Sequence, residues 1–268
     1  MRGAGRRALV TGASSGIGAA TARLLAAEGY SVVLLARRAD ALEGVRAELP
    51  AGDPAQHLCL AADVRSRSEV AAALETVEAA HGGLDLLVNC AGIGCRARVE
   101  ELEPEPLREL LATNVEGLLL LCRDALGLLR RGESPVVVNL SSIVGRRGIP
   151  GQIAYAASKA AVHSIGEGLR IEWAGEGIAV CTLAPALTAT AIFESQHNPA
   201  NLAPPDLRGA DDPARVARAV LDLDRRPVPE LSLRRSWRVL GALSSFAPRL
   251  ADRILVRRLG DAWRVPSR

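Results

Sequence analysis

The sequence predicts an α/β fold in which helices cover both faces of a doubly wound parallel sheet, giving three layers. Short, continuous apolar segments alternate with longer segments of helical periodicity, which is the order expected for parallel strands joined by crossover helices. The 268 residues are 49% hydrophobic, enough to form one large core. Only 3% are aromatic, so that core consists mainly of Ala, Val, Leu and Ile, as is typical of helices packed on a parallel sheet.

The predicted strands are continuous apolar runs, because strands that are covered on both faces need no polar alternation. They span residues 8–11, 31–36, 57–61, 84–89, 136–141 and 178–183. The helices between them span residues 16–28, 40–49, 66–80, 106–130 and 154–174. Asp212 followed by Pro213 predicts the start of a further helix, since Asp is a favoured N-cap and Pro fits the first turn.

One domain is predicted over residues 1–233, followed by a helical extension over residues 234–268. Within the domain, residues 185–212 form a loop that is either a functional lid over a substrate or a plain surface excursion. The charge is uneven along the chain. Residues 225–268 hold eleven arginines against three acidic residues, a net charge of +8, whereas the whole chain carries +3.

The extension combines apolar and basic residues at helical spacing. We predict two short helices broken near Pro248, and one face is expected to hold Val239, Leu240, Leu243 and Phe246. Another face is expected to hold Arg249, Arg253 and Arg257, which recur every four residues. This pattern suits an anionic membrane surface, but a helical cap over a substrate pocket or a subunit contact is the simpler interpretation. No aromatic stacking platform accompanies the charge, so no nucleic-acid binding is expected.

A glycine-rich segment follows the first predicted strand and opens the first helix. Gly12 allows a tight turn, Gly16 keeps side chains away from a pyrophosphate, and Gly18 lets the helix pack close to the sheet. The N-terminus of the helix offers free N–H groups and a positive dipole end to phosphates. The segment therefore predicts a dinucleotide site of the Rossmann type, formed by Gly12, Ser14, Ser15, Gly16, Ile17 and Gly18.

Two arginines, Arg37 and Arg38, follow the second predicted strand, where an NAD site usually has an acidic residue. Their guanidinium groups can hold a 2′-phosphate by charge-assisted hydrogen bonds. We therefore expect NADP(H) rather than NAD(H) as the cofactor. The alternative is a solvated basic start of the second helix.

Cysteine and histidine spacing gives no sign of a disulfide framework or a metal site. The five cysteines have no paired spacing, so reduced thiols and a cytoplasmic location are expected, with peripheral membrane contact left open. The sequence shows neither a signal-peptide pattern nor an apolar run long enough to span a membrane. The four histidines have no ligand spacing, so no catalytic metal is expected.

Six motifs occur in the order typical of one enzyme family. They are residues 11–18, similar to TGxxxGxG; Asp63 with Val64; residues 89–92, similar to NNAG with Cys90 in the second place; Asn114 with Val115; Ser141 with Ser142; and residues 155–159, a YxxxK motif. Together they resemble the short-chain dehydrogenase/reductase family over roughly residues 6–230.

This resemblance implies an enzyme that interconverts a carbonyl and an alcohol by hydride transfer, as a homodimer or homotetramer. It implies four catalytic residues: Ser142, which lies thirteen residues before the tyrosine, Tyr155, Lys159 and Asn114. It also implies cofactor contacts from Asp63, Val64, Asn89, Ala91, Gly92, Tyr155, Lys159, Pro185, Thr188 and Thr190.

The chemistry of Tyr155 and Lys159 makes sense independently of the resemblance. Lys159 is the chain's single lysine, and it follows one of only two tyrosines by one helical turn. A free tyrosine has a pKa of about 10, so about one in a thousand is ionised near pH 7. A neighbouring ammonium group is expected to lower that pKa, with Tyr155 then acting as the acid/base group.

One further departure from the family pattern, at Ala186, and one apolar cluster concern the substrate side of the site. Ala186 replaces the Gly of a PGxxxT segment, which would cost about 1 kcal/mol if that backbone needed a positive φ. Ala154, Leu187, Ile192 and Phe193 suggest an apolar pocket rim and a lipophilic ketone or alcohol as substrate. The competing hypotheses are a non-catalytic NADP(H)-binding sensor and a membrane-surface interaction protein.

Overall fold

Seven segments form parallel strands in the computed structural model, which describes residues 5–50, 56–199, 202 and 206–259. The strands are β1 Arg7–Thr11, β2 Ser31–Ala36, β3 Leu58–Ala61, β4 Leu86–Asn89, β5 Val136–Leu140, β6 Ala179–Ala184 and β7 Glu230–Ser232. The helices are α1 Gly16–Ala27, α2 Ala39–Ala47, α3 Arg67–His81, α4 Pro104–Leu111, α5 Gly117–Arg130, α6 Ile153–Glu172, α7 Ile192–Ser195, α8 Pro213–Arg225, α9 Arg235–Phe246 and α10 Pro248–Leu259.

The strands lie in the order β3-β2-β1-β4-β5-β6-β7, so the chain reverses its direction of winding between β1 and β4. Ligands in such sheets bind at the carboxyl ends of the strands near this reversal. The predicted fold class is confirmed, and the six predicted strands occur with ends shifted by at most two residues. The seventh strand was missed, because Glu230, Leu231 and Ser232 form no apolar run and are recognisable only by their pairing with β6.

Both faces of the sheet are buried, as continuous apolar strands require. Alternate residues of β2 belong to different cores: Val32 and Leu34 pack with α1, α2 and α8, whereas Val33 and Leu35 pack with α3, α5 and α6. Asp212 caps α8 as predicted, its carboxylate accepting a hydrogen bond from Ala214 N at 2.7 Å. No helix in the described part of the chain is long and apolar enough to cross a membrane.

The C-terminal helices pack against the domain at the turn that follows β5. The predicted break at Pro248 is confirmed, since α9 ends at Phe246 and α10 begins at Pro248. The predicted common face of α9 is wrong. Leu240 is buried, whereas Val239 and Phe246 are exposed, because the buried face of α9 is the one that carries Trp237 and Gly241.

Candidate active site

The glycine loop joins β1 to α1 through two close backbone contacts. Gly12 has a φ of +66°, and a Cβ there would lie 3.0 Å from the backbone of Ala91 in the loop after β4. A Cβ on Gly18 would collide with the carbonyl oxygen of Gly12. Thr11 fixes the two loops together, since its hydroxyl oxygen accepts hydrogen bonds from Cys90 N at 3.0 Å and Ala91 N at 2.9 Å. These contacts leave the first turn of α1 open towards the cavity in front of the sheet.

A cavity of about 580 Å³ runs along the carboxyl ends of β1, β2 and β4. Most of the predicted cofactor residues line it: Gly12, Ser14, Ser15, Gly16, Ile17, Gly18, Arg37, Arg38, Asp63, Val64, Ala91, Gly92 and Thr190. The structure adds Leu35, Ala36, Ala62, Cys90, Ile93, Thr113, Ala191 and Ile192 to the wall. Of these, Ile192 was predicted as part of the apolar pocket rim and Cys90 belongs to the NNAG-like motif. For the others the sequence offered a signal only as neighbours of the motif residues.

Arg37 and Arg38 lie at the end of the cavity beyond β2. Arg38 donates a hydrogen bond to the Ser14 hydroxyl at 3.3 Å, and the Arg37 guanidinium lies 3.9 Å from a Glu109 carboxylate oxygen. Asp63 forms a close ion pair with Arg65, whose hydrogen bonds hold the pKa of that carboxyl below its usual range despite partial burial. The end of β2 therefore presents two exposed guanidinium groups to the cavity.

Besides Tyr155 and Lys159, three predicted cofactor residues lie off the cavity wall. Asn89 is buried in the sheet, where its amide donates to Asn139 Oδ1 at 2.8 Å and so bridges β4 and β5. Pro185 accepts a hydrogen bond from Ile143 N at 3.0 Å. Thr188 is buried, and its hydroxyl donates to the Ala186 carbonyl at 3.0 Å. The hydrogen bonds of all three residues thus hold the strands and loops around the cavity together.

Tyr155 and Lys159 project from one side of α6, at the edge of the cavity. Lys159 Nζ lies 5.8 Å from the centre of the Tyr155 ring and donates to the Leu140 carbonyl at 2.9 Å. A Cβ on Gly92, which lines the cavity, would lie 3.5 Å from Lys159 Nζ. The two residues therefore stand next to the cavity rather than in its wall.

The two serines after β5 have different partners. Ser141 is buried, and its hydroxyl donates to the Lys159 carbonyl at 2.8 Å. Ser142 is half-buried, caps the short 3₁₀ turn Ile143–Arg146, and is hydrogen-bonded to the Tyr155 hydroxyl. The structure thus brings Ser142, and not Ser141, to the phenol.

The expected lowering of the Tyr155 pKa is wrong for the site as the structure has it. Burial raises the pKa of Tyr155 to about 12, and the hydrogen bond from Ser142, which favours the phenolate, offsets only part of this effect. Burial also lowers the pKa of Lys159 to about 8. The pKa values of both side chains are therefore shifted towards the neutral forms, because desolvation is the largest cause for each.

Asn114 lies in a wide π-helical turn, Ala112–Glu116, which separates α4 from α5 where the sequence predicted one continuous helix. Its amide accepts from Ile93 N at 2.8 Å and donates to Ile93 O and to Ser158 Oγ, both at 3.0 Å. The Ser158 hydroxyl in turn donates to the Tyr155 carbonyl at 2.7 Å. Asn114 therefore connects the loop after β4 to the helix that carries Tyr155 and Lys159. π-Turns of this kind are frequent at functional sites.

The segment after β6 is fixed at both ends of its described part. Asp211 N donates to Leu187 O at 2.8 Å, and the Asp211 carboxylate forms ion pairs with Arg215 and Arg234. Ala186 is not in the left-handed region, since Ser134 is the one non-glycine residue with a positive φ in the described ranges. Ala186 therefore does not carry the backbone strain that a positive φ would have caused.

Of the predicted pocket rim, Ile192 lines the cavity and Ala154 is buried beside Tyr155, while Leu187 and Phe193 are half-buried and lie off the cavity wall. The described residues contain no group of three or more His, Cys, Asp or Glu side chains placed to hold a metal ion. All five cysteines carry free thiols.

A family model described as short chain dehydrogenase matches residues 6–201. This chain belongs to the short-chain dehydrogenase/reductase (SDR) family. The match includes the glycine loop, Asn114, Ser142, Tyr155 and Lys159.

Curated relatives and solved structures agree with the family assignment. The SDR chain is 36% identical to carbonyl reductase family member 4 of Danio rerio over 83% of its own length and 92% of the relative's. It is 36% identical to D-threitol dehydrogenase of Mycolicibacterium smegmatis over 69% and 71% of the two chains.

Two crystal structures have the same fold at similar identity. A 3-ketoacyl-(acyl-carrier-protein) reductase from Brucella melitensis complexed with NADH gives a TM-score of 0.77 at 29% identity, over 86% of this chain and 97% of the other. An alcohol dehydrogenase from Thermococcus sibiricus complexed with 5-hydroxy-NADP gives 0.75 at 30% identity, over 85% and 96%. The SDR chain is therefore an oxidoreductase with a Rossmann fold.

Proposed function

We propose that this SDR chain is an NADP(H)-dependent oxidoreductase that interconverts a carbonyl and an alcohol on a lipophilic small molecule, with Tyr155 as the acid/base group. One observation carries the proposal: the Tyr155 hydroxyl, hydrogen-bonded to Ser142, lies near Lys159 at the edge of a cavity with a dinucleotide-binding loop. The solved relatives complexed with NADH and 5-hydroxy-NADP support a nicotinamide cofactor.

The residues of the cavity fit such a cofactor. A Cβ on Gly12 would press on the backbone of Ala91 and one on Gly18 would collide with the Gly12 carbonyl, so the loop keeps this path only with glycine at both positions. Gly92 leaves the space between the cavity and Lys159 open. The N–H groups of the first turn of α1 would then bind the pyrophosphate. A nicotinamide cofactor bound in this cavity would supply or accept the hydride.

Arg37 and Arg38 support NADP(H) over NAD(H). Both line the cavity, more than half of the Arg37 side chain is exposed, and its one ion pair is long at 3.9 Å. A 2′-phosphate would provide these guanidinium groups with a doubly charged partner. Asp63, the acidic residue nearby, is already paired with Arg65.

The protonation state of Tyr155 supports its role as a proton donor. Because burial raises the pKa of Tyr155 to about 12, the phenol is protonated at neutral pH and can donate its proton to a carbonyl oxygen during reduction. The Ser142 hydroxyl, which stabilises the phenolate, lowers the cost of that transfer. Lys159 would orient the nicotinamide ribose from the edge of the cavity, and Asn114 holds the intervening loop.

The surroundings of Tyr155 support a lipophilic substrate. Its ring packs against two apolar clusters, one containing Cys95, Ala97, Leu110 and Ala154, the other containing Ile143, Val144, Ile149 and Ala156. Trp237 of α9 packs against the second cluster. A substrate carbonyl that reaches Tyr155 would therefore lie between apolar walls.

The remaining parts of the proposal concern assembly and location. We propose that Pro185, Thr188 and Asn89 support the cofactor loops. We also propose a domain boundary at 233/234 and assembly as a homodimer or homotetramer. A reducing, cytoplasmic location suits the free thiols.

Tyr155→Phe tests the proposal directly. NADPH consumption is measured with a panel of lipophilic ketones, and NADPH binding is followed by fluorescence. The variant should lose at least about a hundredfold in turnover, the usual contribution of a general acid, with NADPH affinity within twofold of wild type. Turnover at the wild-type level would refute the role of Tyr155. Tight NADPH binding by a wild-type protein that turns over no substrate in the panel would favour the sensor instead.

A further inference from the structure

The outer surface of the C-terminal helices is apolar and basic at once. Val239 is 66% exposed, Phe246 is 89% exposed and Leu250 is 49% exposed. Val239 and Phe246 are seven residues apart on α9, so they lie on the same side of that helix. Leu250 follows Phe246 across the break at Pro248. An exposed aromatic ring and two exposed aliphatic side chains on two consecutive helices are unusual on a surface that only contacts water.

The same two helices carry four exposed arginines: Arg238, Arg249, Arg253 and Arg257. None of them forms an ion pair within the part of the chain that the structure describes. The one acidic side chain in the described part of α9 and α10, Asp252, pairs with Arg147 of the domain. The surface therefore carries positive charge that no described side chain neutralises.

The opposite faces of both helices hold this surface in place. Trp237 and Leu240 face the domain, and a Cβ on Gly241 would lie 2.9 Å from Arg146 Cβ, so α9 passes close to the turn after β5. On α10, Ala251 and Leu255 are buried. The exposed apolar side chains are thus displayed on docked helices and are not the unpacked core of a loose segment.

We propose that this surface, comprising Arg238, Val239, Phe246, Arg249, Leu250, Arg253 and Arg257, binds the surface of an anionic phospholipid bilayer. The arginines would pair with lipid phosphates, and Phe246 and Leu250 would enter the boundary between headgroups and acyl chains. A soluble polyanion matches the charge but would leave Val239 and Leu250 exposed. A bilayer is the partner that satisfies both features.

The same helices contact the turn beside Tyr155 on their inner side. If the proposed function holds, a membrane-bound enzyme would take a lipophilic substrate from the bilayer. The binding itself does not depend on that function, because it is measured without cofactor or substrate, so a failure of one proposal leaves the other intact.

Co-sedimentation of the full-length protein with vesicles tests the proposal. Vesicles of phosphatidylcholine with phosphatidylglycerol should bind the protein, and vesicles of phosphatidylcholine alone should not. Phe246→Asp should weaken binding at least about tenfold, since an exposed ring is lost from the lipid boundary. Arg253→Gln should weaken it about fivefold. The matched controls are Ile171→Asp, at a side chain 76% exposed on α6, and Arg67→Gln, at an exposed arginine on α3. Both controls should bind within twofold of wild type.

Absence of binding to the anionic vesicles would overturn the proposal, as would equal effects of Phe246→Asp and Ile171→Asp. Sedimentation velocity in the absence of lipid covers the main alternative. If Phe246→Asp reduces the size of the assembly while wild type ignores vesicles, a second copy of the chain covers this surface and the proposal is wrong.

Discussion

Lys159→Met should stabilise the protein at neutral pH, and the gain should shrink as pH rises. Lys159 is buried, which lowers its pKa from 10.5 to about 8. This difference corresponds to about 3 kcal/mol by which the folded state is destabilised when the ammonium is charged. Between pH 8 and pH 10.5 the unfolded chain binds the additional proton, so the stability of wild type rises with pH across that window. Met has a similar length and no charge, and therefore removes this dependence.

The magnitude can be isolated by comparing two pH values. At pH 7 nearly the whole effect is present, and at pH 9.5 it has fallen by about 2 kcal/mol. The substitution also leaves the Leu140 carbonyl without its donor, but that loss is the same at both pH values and cancels in the comparison. Cys90 and Tyr155 have pKa values raised to about 12, so both stay largely neutral over this range.

Urea unfolding of wild type and variant at pH 7 and pH 9.5 measures the effect. Tyr155→Phe is the control, because it alters the same site and keeps Lys159. The difference in unfolding free energy between Tyr155→Phe and wild type should change by no more than about a few tenths of a kcal/mol between the two pH values. If the difference in unfolding free energy between Lys159→Met and wild type is the same at both pH values, Lys159 is not a charged, desolvated lysine and the reasoning is refuted.

Three further substitutions probe the cofactor loop, cofactor choice and the C-terminal helices. Gly18→Ala should lower the free energy of unfolding by more than about 1 kcal/mol and weaken cofactor binding, because its Cβ would collide with the Gly12 carbonyl. The control is Gly44→Ala, where a Cβ has nothing within 4 Å and should stabilise α2 by about 0.5–1 kcal/mol. Thermal or urea unfolding measures both effects. Replacing Arg37 and Arg38 by Ala should raise the KM for NADPH about tenfold or more and leave that for NADH within twofold; equal effects on both would contradict a 2′-phosphate site. Trp237→Ala should raise the KM for lipophilic substrates several-fold and leave that for NADPH unchanged; an unaffected substrate KM would remove α9 from the pocket wall.

Much of the fold and of the candidate site follows from local sequence patterns. The strands were predictable because both faces of a parallel sheet are buried, so each strand is a continuous apolar run. Gly12 and Gly18 were predictable because a strand-to-helix turn against a second loop excludes side chains there, and the structure has both contacts. The π-turn at Asn114 was not predicted, and the partners that Asn114 binds there, Ile93 and Ser158, lie 21 and 44 residues away in the chain.

The sequence by itself determined the order of strands and helices, the family, and which residues were candidates for the cofactor loop and for proton transfer. Only the tertiary structure decided that Asn89 bridges two strands, that Val239 and Phe246 face outward, and that burial raises the pKa of Tyr155 to about 12. The physical reason is the range of the interactions. Turn geometry and periodic burial depend on residues a few positions apart, whereas desolvation and the exposed side of a docked helix depend on segments brought together from distant parts of the chain.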